Sequence, residues 1–206
     1  MIGLDDGILD ILKVSPTGFE DLVCMKIHQN RMMGISYDNI NGIVYTVSED
    51  KTFRISEANS LMMILSLPHR EPLLVMTADK INKRMSIGSK GGEIFIYDVS
   101  SVIGNTAKLL NTLATNKHGS IRGMDLDLRR NYLVTGGFDD GELAVFDIDK
   151  PNREKYAKNV AAFPGKEKVR SIVWIPDRME LAVGTADGSI TFWNAVKGKS
   201  LCTLKS

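Results

Sequence analysis

The tripeptide Gly198-Lys199-Ser200 ends the way a phosphate-binding loop ends, with a lysine for phosphate oxygens and a hydroxyl for magnesium. Such a loop also needs a glycine five positions before Gly198, where this chain has Trp193. It must open a helix, because the helix N-terminus supplies the anion site, and "LCTLKS" holds none. The tripeptide therefore reads as a turn entering a strand. The run from Asp125 begins like a calcium loop but has Arg130 where the sharp turn needs glycine and Gly136 where an acidic ligand belongs. The pairs Asp5-Asp6 and Asp139-Asp140 have the form of paired acids, yet both fall in turns, where aspartate accepts backbone N–H bonds. His28, His69 and His118 recur with the repeat described below, which accounts for them without catalysis. Nothing near Cys24 or Cys202 predicts an activated thiolate. No enzyme, metal or cofactor is expected.

The bulk numbers narrow the class further. At 206 residues, 43% hydrophobic and 25% charged, the chain is long enough to bury a real core. A net charge of +1 nominates no polyanionic partner, and no nucleic-acid motif surrounds the basic residues, so nucleic-acid binding is not expected. No apolar run approaches the roughly 20 residues that span a bilayer, so direct membrane insertion is not expected. Two cysteines, no glycosylation sequon and an acidic rather than basic N-terminus favour a reduced, cytoplasmic setting.

Behind these scattered turns lies a repeat. "LDDGILDILKV", "SEDKTFRISEA", "SKGGEIFIYDV", "FDDGELAVFDI" and "TADGSITFWNA" each place a turn before alternating residues. Their turn residues Asp6, Asp50, Gly91, Asp140 and Asp187 are separated by 44, 41, 49 and 47 residues, near the period of a four-stranded propeller blade. The last unit parses as "VRSIVWI", "ELAVGT", "SITFWN" and "SLCTL", four short strands joined by Pro, Asp and Gly turns. Equivalent parses of the earlier units leave no useful helical stretch. The fold is read as all-β, with four complete four-stranded blades and a partial one at the N-terminus. Numbered along the chain, the partial blade is 1–28 and the others are 29–68, 69–116, 117–164 and 165–206, in one propeller region. Met25, Met32, Met33, Met62, Met63 and Met76 are expected to fill inner-strand and inter-blade space.

These units resemble WD repeats. The family's marks are a Gly-His before the inner strand, an Asp in the turn before the third strand and a Trp-Asp ending that strand. Here the turn residue is Asp6, Asp50, Asp140 and Asp187, with Gly91 in one unit. The Trp-Asp place reads Tyr97-Asp98, Phe146-Asp147 and Trp193-Asn194, but Ser56-Glu57 and Leu12-Lys13 elsewhere. His28 stands where the family has its histidine; His69 and His118 read one residue off register, and Gly165 replaces it in the last unit. The stretch "DDGILDILKVSPTGFEDLVCMKIHQNRM" and the blade spacing after it are also similar to the propeller of the WD-repeat and FYVE-domain proteins. Two cysteines cannot build the FYVE zinc sites, so that family's membrane docking does not carry over.

The resemblance implies a non-enzymatic platform that binds other proteins; the alternative is a structural part of a large cytoskeletal or ciliary assembly. It further implies a partner face built from the loops before each inner strand and between second and third strands. On this chain those loops select His28, Asn30, Arg31, Ser48, Glu49, His69, Arg70, Lys117, Ser120, Phe138, Asp139, Lys168 and Thr185. Phe138 stands out as an aromatic in a turn. The inserts Ser100 to Lys108 and Asp149 to Lys158 are further candidates, since insertions in repeats gather on one face. The ends are expected to be covered by further blades or by another subunit.

Overall fold

A computed structural model describes residues 1–114, 119–148, 158–163, 167–175 and 177–205. Its chain forms five antiparallel sheets, each made of strands consecutive in sequence. The first holds β1 (Ile2–Gly3), β2 (Ile8–Ser15) and β3 (Gly18–Lys26). The second holds β4 (Met32–Asp38), β5 (Ile43–Ser48), β6 (Thr52–Glu57) and β7 (Met63–Pro68). The third holds β8 (Leu73–Asp79), β9 (Arg84–Ser89), β10 (Glu93–Asp98) and β11 (Lys108–Ala114). The fourth holds β12 (Ile121–Asp127), β13 (Tyr132–Gly137), β14 (Leu143–Asp147) and β15 (Lys158–Phe163). The fifth holds β16 (Val169–Ile175), β17 (Glu180–Thr185), β18 (Ile190–Asn194) and β19 (Lys199–Leu204). One short 3-10 turn, Val102–Gly104, is the only helical segment among the described residues. The insert from Asp149 lies almost wholly outside them.

Alternation explains why the blades stack. Successive strand side chains point to opposite faces, and here each face meets a different neighbour. Tyr45 and Val47 of β5 share a core with Leu73, Ile87 and Phe95 of the third blade, whereas Val44 joins Leu9 and Met32. Ile94 and Ile96 pack with Ile121 and Leu133 of the fourth blade, and Val134 and Leu143 with Val169 and Ile172 of the fifth. Strands covered on both faces are buried along their whole length, as β5 and β9 are. In β17 burial alternates, Leu181 and Val183 being buried towards the fourth blade. Among the described residues no apolar core joins the first sheet to the last. Three of the methionines depart from the filler role: Met25 is 43% exposed, Met62 69% and Met63 58%. Met25 and Met63 lie on outer strands and Met62 just before one, where only one side of the chain is covered.

Irregularities repeat as faithfully as the strands. The third and fourth strands lose register at Leu12, Ser56, Tyr97, Phe146 and Trp193, the Trp-Asp place of every unit. A second bulge sits one residue into each inner strand, at Met33, Leu74, Arg122 and Arg170. A bulge adds a residue to one strand and re-aims its side chain, so these four positions leave the ordinary in-out alternation.

Gly198-Lys199-Ser200 behaves as a turn into a strand. The Gly198 N–H donates to the carbonyl of Asn194 at 2.9 Å, and β19 begins at Lys199.

Candidate functional site

Each second strand ends in a turn that is tied to the start of its own blade. The residue following the second strand donates its N–H to the residue before the inner strand or just ahead of it: Glu49 to Arg31 at 3.0 Å, Lys90 to Pro72 at 2.8 Å, Phe138 to Ser120 at 2.8 Å and Ala186 to Lys168 at 2.9 Å. These bonds bring two loops of each four-stranded blade onto one face. Within the turn an aspartate Oδ1 accepts the N–H two residues on: Ile8 to Asp6 at 3.2 Å, Thr52 to Asp50 at 3.0 Å, Glu142 to Asp140 at 2.9 Å and Ser189 to Asp187 at 3.0 Å. Where Gly91 offers no side chain, the Ser89 hydroxyl accepts the Glu93 N–H instead. Hydrogen bonds from the Thr185 hydroxyl, and from the Ser189 N–H and hydroxyl, hold the exposed Asp187 carboxyl down to about 2. The next residue takes a left-handed conformation in all five units: Gly7, Gly92, Gly141 and Gly188, and Lys51 at φ 70°. At Gly141 a Cβ would also strike the carbonyl of Glu167, locking this turn against the loop that precedes β16.

The second blade carries a buried network of histidine, aspartate and threonine. His28 Nδ1 lies 2.9 Å from Asp50 Oδ2, and His28 Nε2 lies 2.8 Å from the Thr46 hydroxyl. A neutral ring protonated on Nδ1 satisfies both contacts, donating to the carboxylate and accepting from Thr46. Burial pushes the His28 pKa down, and the Asp50 charge beside it recovers only part of that shift. For Asp50, desolvation works upward but is outweighed by hydrogen bonds from Thr52 and Gln29 and by His28, leaving it below the ordinary carboxylate range.

His69 is in register, contrary to the sequence reading. Its N–H donates to the Lys51 carbonyl as that of His28 donates to Gly7, and it stands four residues before Leu73 as His28 stands before Met32. The blade lacks the partners: Ile87 occupies the Thr46 place and Gly91 the Asp50 place. Its ring packs instead on Phe95, centroids 4.3 Å apart, with Nε2 at 3.3 Å from the Tyr97 hydroxyl. Burial lowers the His69 pKa as well.

The sequence-selected residues therefore divide. Asn30, Arg31, Arg70, Asp139 and Lys168 are exposed, and Glu49, His69, Phe138 and Thr185 are half-buried. His28 and Ser48 have no exposed surface and Ser120 only 7%, so these three support the face rather than offer it. Ser48 donates to the carbonyls of Asn30 and Arg31, while Ser120 donates to Asp139. Lys117 and His118 lie outside the described residues. Phe138 is not a bare anchor: Arg170, Lys168 and Arg122 surround its ring at 4.6, 5.1 and 5.4 Å from the centroid. Arg122 and Arg170 escaped the sequence reading because strand alternation does not place them; the bulges do.

The opposite face carries a second repeat that was also missed. Asp38, Asp79 and Asp127 end the inner strands, are buried, and accept N–H groups from the turns that follow. Asp127 thus caps a turn, and Asp125 accepts the Trp174 N–H at 2.7 Å, which employs both acids of the calcium-like run. No group of three or more metal-ligating side chains stands together among the described residues. No helix among them is long and apolar enough to cross a membrane.

Residues 157–194 match the family model described as "WD domain, G-beta repeat". The chain is 27% identical over 135 residues to the Periodic tryptophan protein 2 homolog of Schizosaccharomyces pombe, covering 64% of this chain and 14% of that protein. It superposes on the crystal structure of Saccharomyces cerevisiae Sqt1 with a TM-score of 0.80 at 15% identity, covering 98% of this chain and 57% of that one. It superposes on a chain of a mitotic checkpoint complex with a TM-score of 0.81 at 18% identity, covering 99% and 60%. The chain spans less than two thirds of each of these proteins.

Proposed function

We propose that this chain, which carries WD repeats on a propeller fold, is a non-enzymatic scaffold that binds other proteins through the face bearing Phe138. The observation that carries the reading is the repeated tie between loops, which sets Glu49, Lys90, Phe138 and Ala186 at equivalent places on one face. A rigid sheet scaffold with variable residues at fixed loop positions is suited to recognition. A structural neighbour from a mitotic checkpoint complex is itself part of a protein assembly, which supports the same reading. The setting proposed is cytoplasmic. The last blade exposes Val173, Ile190, Leu201 and Leu204, and we assign that surface to a further blade or another subunit. Incorporation into a cytoskeletal or ciliary lattice is the rival reading, and salt-resistant sedimentation of the native protein would favour it over an exchanging adaptor.

A photo-crosslinking residue at position 138, with a control at the exposed Ile40 on the opposite face, tests the proposal in native extract. Specific adducts are expected at 138 and not at 40. With the captured partner in hand, Phe138→Ala is expected to weaken binding by about 2 kcal/mol, roughly thirtyfold, while circular dichroism stays unchanged. Adducts confined to position 40, or an unchanged affinity, would move the site elsewhere.

A further inference from the structure

Phe138 lies in a setting that no other unit reproduces. Arg122 comes from the bulge of β12, Arg170 from the bulge of β16, and Lys168 from the loop just before β16. In the second and third blades the bulge positions hold Met33 and Leu74, and Glu49 and Lys90 take the place of Phe138. Three cations thus converge on one aromatic ring at the junction of the fourth and fifth blades.

Their charge is not neutralised there. Among the described residues, Arg122, Lys168 and Arg170 form no ion pair, although six pairs between a Lys or Arg and a carboxylate occur there. A ring quadrupole attracts a cation but carries no net charge. Arg122 Nε is buried and has no hydrogen-bond acceptor, an arrangement that native proteins seldom tolerate without a ligand or a water. The exposed Lys168 and Arg170 leave the patch open to solvent.

We infer that this patch binds an acidic peptide segment of a partner protein, its Asp or Glu carboxylates accepting from Arg122, Arg170 and Lys168 while an apolar side chain rests against Phe138. The inference rests on the binding-face reading above and adds the partner's chemistry. Guanidinium forks pair with carboxylates through two parallel N–H···O bonds, giving orientation as well as attraction. Exposed Asp139 follows Phe138 and exposed Glu167 precedes Lys168 in sequence, and the whole chain is only +1. That frame suits a short segment with a few carboxylates and repels the long phosphate tract of a nucleic acid.

Fluorescence anisotropy on the full chain tests this with a labelled peptide of alternating Glu and Leu and its Gln counterpart. The acidic peptide is expected to bind, the Gln peptide not to, and binding is expected to fade between roughly 50 and 300 mM salt. Lys168→Gln and Arg170→Gln, both on the surface, are each expected to weaken binding about tenfold; Lys80→Gln, exposed beside Asp79 on the opposite face, is expected to leave it unchanged. Equal binding of both peptides, or wild-type affinity in the 168 and 170 variants, would overturn the assignment. Tighter binding of a single-stranded oligonucleotide would replace it with nucleic-acid recognition, and full competition by a few millimolar inorganic phosphate would reduce it to a simple anion site. Failure of the acidic peptide alongside persistent crosslinking at position 138 would refute the acidic chemistry while leaving the face in place.

Discussion

Arg84→Ala is expected to lower the stability of the fold by about 3–5 kcal/mol, the cost of leaving a buried charge without its partner. Arg84 is only 8% exposed and ties two blades together. Its guanidinium donates to Asp79 through both Nε and Nη2, at 3.1 and 2.7 Å. It also reaches the fourth blade's connections, donating to the carbonyl of Ile148 at 2.9 Å and to the Asn131 side chain at 2.8 Å. Burial works to raise the Asp79 pKa, but hydrogen bonds from Asn82 and Arg84 outweigh it and hold the carboxyl below its usual range. Removing Arg84 strands that carboxylate. A melting temperature lower by roughly 10 °C is the expected readout. Adding Asp79→Asn to the variant should restore part of the loss, since the uncompensated charge disappears. A loss under about 1 kcal/mol in the single variant would show that the pair is no more than a surface bridge.

Asp50→Ala is expected to cost about 3 kcal/mol, because Asp50 serves four donors at once and its removal takes the carboxylate acceptor from the interior His28. The same network gives stability a pH dependence of definite sign. The folded pKa of His28 lies below its ordinary 6.5, so the unfolded chain binds more protons below that pH. The stabilisation from neutral His28 is therefore fully present above pH 6.5 and is lost as pH falls through the depressed folded value. His69, lowered by burial, acts in the same direction. Asp50, lowered from 3.8, adds a second loss only in stronger acid. Thermal melts at pH 7.5 and 5.5 should show a lower melting temperature at 5.5, and a smaller drop in a His28→Gln, His69→Gln double variant. A melting temperature that rises on acidification would contradict the neutral-histidine arrangement.

The turn chemistry makes the blades legible in the sequence. Asp6, Asp50, Asp140 and Asp187 accept the N–H two residues later in every case, a local geometry that sequence spacing reports directly. The Trp-Asp place was legible as a position and not as a mechanism: Tyr97, Phe146 and Trp193 mark a register shift that a count of residues cannot reveal. His69 misled because its neighbours changed rather than its place. Without Thr and Asp opposite, a histidine in register joins Phe95 and Tyr97. Much of the candidate face was legible as loops, but its depth was not; Ser48 and Ser120 look like surface polar residues until their hydroxyls are seen holding the chain from beneath. The cations around Phe138 were hidden for a similar reason. Arg122 lies sixteen positions before Phe138 and Arg170 thirty-two after it, and bulges rather than periodicity turn both towards the ring.

The most direct test of a binding face carried by these loops is amide hydrogen exchange of the chain with and without a partner captured through position 138. Protection is expected at Gly119 and Ser120, through Phe138 to Glu142, and in Glu167 and Lys168, with little change at the turns after Asp38, Asp79 and Asp127 on the opposite face. Protection concentrated at those opposite turns, with the Phe138 loop exchanging as in the free chain, would contradict the account.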